Sequence, residues 1–475
     1  MLDGGKTLPA EAEARRAALA GREPSGWSDA DRAAWQAPQF EGRAEVSRYG
    51  SGFAIEPPEA TFADAGGLAL RASRAIGGLS NFWGSAVLPY RQADMAGWPI
   101  TEADLAPHYR AVARFLPVAG QADALAALFP AFPMDGCRPI PPGPQAEAVL
   151  ARARPAPGFR VGLARQAVAS GCRLCGQCLH GCPWRLIWSA SRQIEALRRD
   201  AGFTHLPGTT VRSFSEEADG VTLRLDDGRT VRASRVFLAA GVLETARICL
   251  ASRPGGDALV LHDSAQAFLP LIQRTRTARA PDRMPFHTLP QMFAELTDAA
   301  VSPYTVHAQM YGWNEYYARD LMQNYGRRLP GSGPLWRALA RRLVVAQVFL
   351  HSDHSARAEL RLAPDGRLSV AVSQSPETPV VMARAARRLS RDFAGLGLTA
   401  LRFALRPGAP GSSFHAGATI PMAAQAGPRQ SDRLGRPSGL DRVHLVDASC
   451  LPAIPATTIT FAVMANAHRI GALCP

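Results

Sequence analysis

Two strand-turn-helix units that lie far apart in the chain constrain its fold more than any other feature. In the first unit, the apolar run 236–240 meets Gly241 and precedes an amphipathic helix. In the second unit, the apolar strand 443–446 meets Asp447 and precedes a small-residue helix over 458–473. Apolar strands that lead into helices are typical of parallel sheets covered on both faces. Both units would suit one parallel sheet, so the sequence predicts an α/β chain built from two interleaved domains.

The segment between the two units predicts the second domain. Residues 256–410 mix strand-like runs with an Arg-studded helix near 378–395, and they show no internal repeat and no recognisable binding motif. We expect residues 1–255 and 411–475 to form a Rossmann-like domain, and residues 256–410 to form an α+β insertion with an antiparallel sheet. A chain of 475 residues is long enough for two or three domains and a bound cofactor.

Local patterns predict further elements. Thr101 is placed to cap a helix over 101–116. A second helix is expected over 185–199. It leads into a small antiparallel ribbon over 210–238, in which the Asp-Asp-Gly sequence at 226–228 predicts a hairpin turn.

Composition narrows the function classes. The net charge is +13, but the cations are almost all arginines spread along the chain, so nucleic-acid binding, which uses clustered cations, is not indicated. There is no run of about 18 apolar residues, so no integral membrane segment is expected. The N-terminus has no basic segment followed by an apolar run. We expect a cytoplasmic protein, with an export signal on a longer N-terminus as the open alternative.

Three short segments carry residue types that suit a dinucleotide. Asp3 ends an apparent strand, which is the position of the acid that hydrogen-bonds an adenosine ribose. The segment 77–84 has paired glycines that let the backbone approach a flat ring or a pyrophosphate. Asp447 and Ala448 precede an apparent helix start, where anionic ligand edges bind. A surface acid and a tight turn beneath a buried tryptophan are the structural alternatives for the first two segments.

Four crowded cysteines form the sharpest local pattern. Cys172, Cys175, Cys178 and Cys182, followed by Pro183, match the C-x₂-C-x₂-C-x₃-C-P spacing of bacterial ferredoxins, whose thiolates hold iron-sulfur clusters. A structural zinc site normally uses two pairs that lie farther apart, so it ranks lower. Cysteines without a metal are the third alternative.

Taken together, these segments resemble the glucose-methanol-choline (GMC) family of flavin-dependent oxidoreductases. The stretch 77–84 followed by Trp98-Pro99, the stretch 238–247 and the stretch 446–468 are similar in type and order to the flavin-contacting segments of that family. The cysteine run is similar to a segment of a Cys-rich bacterial branch of the family, in which some members hold a cluster.

The resemblance implies an FAD cofactor and its contacts. FAD would lie along the sheet, with Val211 near the adenine and Asp447 near the ribityl chain or pyrophosphate. The expected cofactor-binding residues are Asp3, Gly77, Gly78, Ser80, Asn81, Trp83, Gly84, Val211, Ala240, Gly241, Asp447, Ala448 and Thr458.

The resemblance also implies a reaction, the oxidation of an alcohol or sugar CH–OH group by hydride transfer to the flavin. The segment 413–419 looks like the one that bears the family's base, so His415 is expected to take the hydroxyl proton. A second His or Asn is usual near the flavin. Here Thr458 occupies that place, and its hydroxyl is a poorer base. The resemblance thus implies an alcohol or sugar dehydrogenase. A cluster at the cysteines would favour a dehydrogenase over an oxidase, because it could pass electrons to a quinone or a cytochrome.

The sequence departs from the family at its start. A G-x-G-x-x-G turn normally lies about 20 residues before the ribose acid, whereas Asp3 is nearly the first residue. We therefore expect an N-terminally truncated chain that lacks the first βα unit and binds FAD more weakly. A degenerate non-catalytic relative and an iron-sulfur electron-transfer protein are the two alternatives. Arg274, Arg276 and Arg279 are expected to lie on a solvated surface rather than to contact an anionic substrate.

Overall fold

The computed structural model describes residues 1–36, 52–253, 258–275, 286–314, 321, 323 and 331–474. Its helices are α1 (Ala10–Ala20), α2 (Asp29–Gln36), α3 (Pro58–Thr61), α4 (Glu102–Ala113), α5 (Pro144–Leu150), α6 (Ala190–Leu197), α7 (Val242–Ser252), α8 (Gly333–Ala340), α9 (Glu377–Gly395) and α10 (Ile459–Leu473). Among the described residues, none of these helices has the length and the apolar composition needed to cross a membrane.

The strands form several separate sheets. They are β1 (Leu2–Asp3), β2 (Phe62–Asp64), β3 (Phe159–Leu163), β4 (Leu206–Pro207), β5 (Val211–Glu217), β6 (Gly220–Leu225), β7 (Thr230–Ala233), β8 (Val236–Leu238), β9 (Leu259–Asp263), β10 (Gln266–Gln273), β11 (Met292–Leu296), β12 (Val306–Tyr311), β13 (Leu343–Phe349), β14 (Arg357–Leu362), β15 (Leu368–Ser373), β16 (Leu398–Ala400), β17 (Arg406–Pro407), β18 (Ala416–Gly417) and β19 (Val443–Leu445).

The two strand-turn-helix units meet as predicted. β8 and β19 pair in parallel, with Val236 opposite Val443 and Leu238 opposite Leu445. The helices α7 and α10 follow these two strands in the chain, and α10 packs against α4 through the rings of Tyr109 and Phe461, whose centroids lie 4.8 Å apart. β1 and β4 form a second short parallel pair.

A seven-stranded antiparallel sheet forms the other large layer. Its strands run in the order β16-β10-β13-β12-β11-β3, and β17 also pairs with β10. Because side chains alternate along a strand, Met292, Ala294 and Leu296 of β11 share one face, where they belong to the same buried core as Leu389 and Phe393 of α9. The buried core on this face of the sheet consists of apolar side chains, whereas the opposite face carries polar side chains.

Two smaller sheets complete the described part of the chain. A five-stranded sheet has the order β18-β9-β14-β15-β2, and β5-β6-β7 form the antiparallel ribbon predicted from the sequence. The boundary predicted between residues 255 and 256 lies within 254–257, outside the described residues. The domain division stays a prediction. The seven-stranded and the five-stranded sheets each contain strands from both parts of this division, because β3 pairs with β11 and β18 pairs with β9.

Most predicted elements are present with small shifts at their ends. Thr101 caps α4 in a capping box: its hydroxyl accepts from the amide of Asp104, and the Asp104 carboxylate accepts from the amide of Thr101. The helix expected over 185–199 begins only at Ala190, because the preceding residues extend and the amide of Trp188 donates to the carbonyl of Ala167. An isolated β-bridge between Val168 and Ile187 replaces the first turns of the predicted helix.

Candidate functional site

Asp447 joins the two strand-turn-helix units. Its carboxylate accepts from the amide of Gly241 (3.0 Å), from the hydroxyl of Thr245 (2.6 Å) and from the amide of Ser449 (2.9 Å). Burial raises the pKa of this carboxyl group, against the opposing effect of these hydrogen bonds. The carboxylate therefore holds the start of α7 against the turn after β19. Ala240 and Gly241, which precede α7, are exposed at the surface.

The glycine-rich segment 77–84 lies against the N-terminus of α6. Gly77 has φ +81°, and a Cβ there would lie 2.4 Å from the amide nitrogen of Ser191, so only glycine fits. Gly78 also has positive φ, but open space surrounds the position of its missing Cβ. The side chains of Ser80 and Asn81 hydrogen-bond the backbone and Ser189 around this contact.

The last two residues of the glycine-rich segment, Trp83 and Gly84, contact other elements. The indole nitrogen of Trp83 donates to the carbonyl of Trp188 (2.9 Å). Gly84 lies beside the phenol of Tyr311, 4.0 Å from the position of a Cβ. The segment thus spans from α6 to the seven-stranded sheet.

Asp3 is connected to the glycine-rich segment through the backbone. Its carboxylate accepts from the amide of Gly5 (2.9 Å) and pairs with the ring of His205 (2.9 Å). The carbonyl of Lys6 accepts from the amide of Ile76, directly before Gly77. Asp3 is therefore near Gly77, at the end of the β1–β4 pair as predicted.

Val211 lies at the start of β5, beside α7. Its carbonyl accepts from a guanidinium nitrogen of Arg247 (2.7 Å). This hydrogen bond ties the antiparallel ribbon to α7.

His415 lies between the turn after β19 and the seven-stranded sheet. Its ring stacks on Phe349, with centroids 4.9 Å apart and an interplanar angle of 21°. The next residues, β18, contact the Asp447 turn, since the amide of Ala418 donates to the carbonyl of Ala448 (2.9 Å). Burial lowers the pKa of His415 to about 3, so the imidazole is neutral at pH 7. Its Nδ1 is buried and has no hydrogen-bond partner among the described residues.

Thr458 is the N-cap residue of α10 and is almost fully buried. Its hydroxyl oxygen accepts from the amide of Leu88 (2.8 Å), in the chain just beyond the glycine-rich segment. Because that oxygen already accepts, the hydroxyl hydrogen is available to a ligand atom. The structure thus connects Thr458 to Leu88, four residues beyond Gly84, and connects the segment that follows His415 to Ala448.

Three buried hydroxyl groups in these segments indicate whether the candidate site suits a cofactor. Those of Ser85, Thr419 and Thr457 are at most 2% exposed, and none has a hydrogen-bond partner within the described residues. Buried polar groups are nearly always hydrogen-bonded, so unpaired ones point to a ligand or water. Thr457 lies in a segment expected to contact FAD, Ser85 directly follows another such segment, and Thr419 lies in the segment that bears His415. The chemistry of these hydroxyl groups fits a polar cofactor there.

One face of the seven-stranded sheet was missed by the sequence reasoning. The phenol of Tyr311 hydrogen-bonds the amide oxygens of Gln309 (3.1 Å) and Gln347 (3.2 Å). Gln347 in turn donates to Gln266, which donates to the hydroxyl of Ser412 (2.9 Å). A polar strip therefore leads from Gly84 to the segment that bears His415. Period-two alternation in β12 and β13 was the available signal.

A buried acid-base pair lies on the same face. Nδ1 of His307 lies 2.7 Å from the carboxylate of Glu295, and both side chains are 0% exposed. Burial raises the pKa of Glu295. Phe349 separates this pair from His415, since the His307 and Phe349 ring centroids lie 5.9 Å apart. Neither residue was singled out in the sequence.

The four cysteines lie in a segment packed between the N-terminal helices and the antiparallel sheet. Within the described ranges, no group of three or more His, Cys, Asp or Glu side chains is arranged to hold a metal ion. Burial raises the pKa of Cys178 to about 12, and the sulfur of Cys182 accepts from the amide of Leu186. Cys172 and Cys178 pack against apolar neighbours such as Leu289. The structure therefore gives no support to the predicted cluster.

Of the three arginines considered as anion contacts, only Arg274 lies among the described residues, and it does not join the site. Arg274 is exposed and donates to the carbonyl of Ala394 at the end of α9. Arg276 and Arg279 lie outside the described residues.

Comparison with known proteins identifies the fold. No family model matches the sequence, and no curated protein matches it. Among solved structures, the crystal structure of pyridoxine 4-oxidase from Mesorbium loti matches with a TM-score of 0.58 at 15% sequence identity, covering 99% of this chain and 93% of that one. The α/β fold predicted from the sequence, a Rossmann-like part with an interleaved antiparallel sheet, is therefore confirmed, and this chain shares it with that oxidase.

Proposed function

We propose that this protein is an FAD-dependent oxidoreductase that oxidises a CH–OH group of an alcohol or a sugar. The observation that carries the proposal is that a neutral, buried histidine and unpaired buried hydroxyl groups occur on or beside segments whose order resembles the GMC family. The fold shared with a pyridoxine 4-oxidase supports it.

The proposed cofactor contacts fall in two groups. We assign Asp3, Gly77 and Gly78 to a group beside the β1–β4 pair, and we assign Gly84, Asp447, Ala448 and Thr458 to a group on the side of His415. The open space beside Gly78 and the exposed backbone at Ala240 and Gly241 leave room for a ligand. We assign Ser80, Asn81 and Trp83 to the walls of this site, and Val211 to its adenine end. Bound FAD would supply the hydride acceptor.

His415 acts as the proton acceptor in this proposal. Its neutral ring offers a lone pair at pH 7, and stacking on Phe349 fixes the plane of the ring. A base held in position in this way contributes about 10²- to 10⁴-fold to the rate. The hydroxyl hydrogen of Thr458 donates to a ligand oxygen, because its own oxygen is occupied by the amide of Leu88.

The polar strip of Tyr311, Gln309, Gln347 and Gln266 supplies the substrate-facing wall. Its amide and phenol groups carry no net charge, and they offer both donors and acceptors. Such a wall favours an uncharged, hydroxylated substrate. In the proposed division, residues 256–410 form the substrate-binding domain.

Electron transfer to a quinone or a cytochrome depended on the predicted iron-sulfur cluster, for which the described residues provide no ligand arrangement. The proposed function is therefore an oxidoreductase without an assigned electron acceptor. Iron analysis of the purified protein tests the cluster directly.

The reaction is tested by anaerobic mixing of the FAD-loaded protein with ethanol, glycerol, D-glucose and pyridoxine, while flavin absorbance is followed. We expect at least one of these to bleach the flavin. His415→Asn should slow that reaction by about 10²-fold or more while retaining bound flavin. The control is His468→Asn, because His468 is exposed on α10. Equal rates in the two variants would remove His415 from the reaction.

A further inference from the structure

A histidine and a cysteine form a pair far from His415, next to a surface cavity. His444 lies on β19 and is only 2% exposed. Its Nδ1 donates to the carbonyl of Leu434 (2.9 Å), and its ring stacks on Phe237 with centroids 5.1 Å apart. Because a neutral imidazole carries one hydrogen, this hydrogen bond leaves Nε2 with a free lone pair.

Cys474 supplies the partner of that lone pair. It follows α10 directly, and its sulfur lies 3.4 Å from Nε2 of His444. Burial, together with the nearby charges of Arg436 and Arg235, lowers the pKa of His444, so the ring is neutral at pH 7 and Nε2 presents its lone pair to the thiol. The thiol is only partly buried, so small molecules can reach it.

The cavity beside the pair has a volume of about 520 Å³. Both members of the pair line it, together with guanidinium groups such as those of Arg436 and Arg442 and carboxylates such as Glu217. The guanidinium group of Arg436 also interacts with Cys474. Walls of both charges suit a small molecule that carries both an ammonium and a carboxylate group.

We propose that Cys474 is a reactive thiol, activated by His444, that forms a mixed disulfide with small zwitterionic disulfides. The proton of Cys474 passes to Nε2 of His444, and the sulfur attacks one sulfur of the incoming disulfide. The disulfide bond breaks as the new bond forms, and the departing thiolate takes the proton back from His444. One disulfide is consumed and one is formed, so no other oxidant is required.

The test is the rate of mixed-disulfide formation when the folded, reduced protein is treated with oxidised glutathione, followed at each cysteine by peptide mass mapping. Cys137 is an internal reference of similar exposure, and burial raises the pKa of its thiol. We expect Cys474 to react at least about 10-fold faster than Cys137 in the same sample. Equal or slower reaction of Cys474 would overturn the proposal without any variant.

Two variants separate the role of the base from simple exposure. His444→Gln should reduce the rate at Cys474 about 10-fold or more while the rate at Cys137 is unchanged. Arg436→Gln, at a partly exposed side chain, should reduce it by a smaller factor, and it provides a second test if the His444 variant does not fold. Unchanged rates at Cys474 in a folded His444→Gln protein would show that exposure alone sets its reactivity.

Discussion

Replacement of Asp447 by alanine should destabilise the protein strongly. The carboxylate accepts from three donors, and two of them, the Thr245 hydroxyl and the Ser449 amide, belong to residues that are 0% exposed. A buried donor left without an acceptor costs about 1–3 kcal/mol, whereas the amide of exposed Gly241 can turn to water. The expected loss in the free energy of unfolding is therefore roughly 2–5 kcal/mol, a large part of the ~5–15 kcal/mol that stabilises a typical protein.

Urea denaturation followed by circular dichroism and tryptophan fluorescence measures this loss. Asp441→Ala is the matched control, because the side chain of Asp441 lies in the same part of the chain and is 90% exposed. Its denaturation midpoint should be unchanged. Thr245→Val should produce an intermediate loss, since it removes one donor and leaves the carboxylate its other two. An Asp447→Ala midpoint equal to that of Asp441→Ala would refute the idea that this carboxylate joins the two strand-turn-helix units.

Three further predictions concern other sites. Gly77→Ala should destabilise the protein by more than about 2 kcal/mol, whereas Gly78→Ala should destabilise it by about 1 kcal/mol. Both glycines have positive φ, but only a Cβ at Gly77 would clash with backbone atoms. Thermal melting of the two variants measures the difference. Asp123→Ala should cost about 3–5 kcal/mol in urea unfolding, because it leaves the guanidinium of Arg165, 1% exposed, without its carboxylate; a loss below 1 kcal/mol would contradict this. Burial raises the pKa of Asp263 from 3.8 to about 6. Its protonated form therefore stabilises the fold below pH 4, and up to about 3 kcal/mol is lost as the pH rises to 6. Asp263→Asn should gain stability relative to the unmodified protein over that interval, and parallel pH profiles would refute the shift.

The elements that sequence reasoning predicted best are those with local signals. The hairpin at 226–228, the cap at Thr101 and the strands before Gly241 and Asp447 each depend on a few neighbouring residues. The predicted start of α6 was wrong, because residues before Ala190 have a helical sequence pattern but instead pair with a distant segment. Here a non-local contact overrode local propensity.

The candidate site was predicted only in part for the same reason. Glycine and acid positions have backbone roles that can be read in sequence, so Gly77 and Asp447 could be singled out. Glu295 and His307 lie on different strands and become a pair only through the register of β11 and β12. The contact of Cys474 with His444 likewise depends on where α10 ends. The cysteine spacing matched a ferredoxin pattern, but spacing alone does not fix the direction of the side chains.

The most direct test of the account is whether the purified protein binds FAD. The protein is incubated with FAD, passed through gel filtration and examined by absorbance, beside a Ser85→Val and Thr419→Val double variant that removes two of the unpaired buried hydroxyl groups. We predict flavin absorbance eluting with the unmodified protein, at up to one FAD per chain, and a lower flavin content in the double variant. Protein that elutes folded but free of flavin would contradict the proposed function.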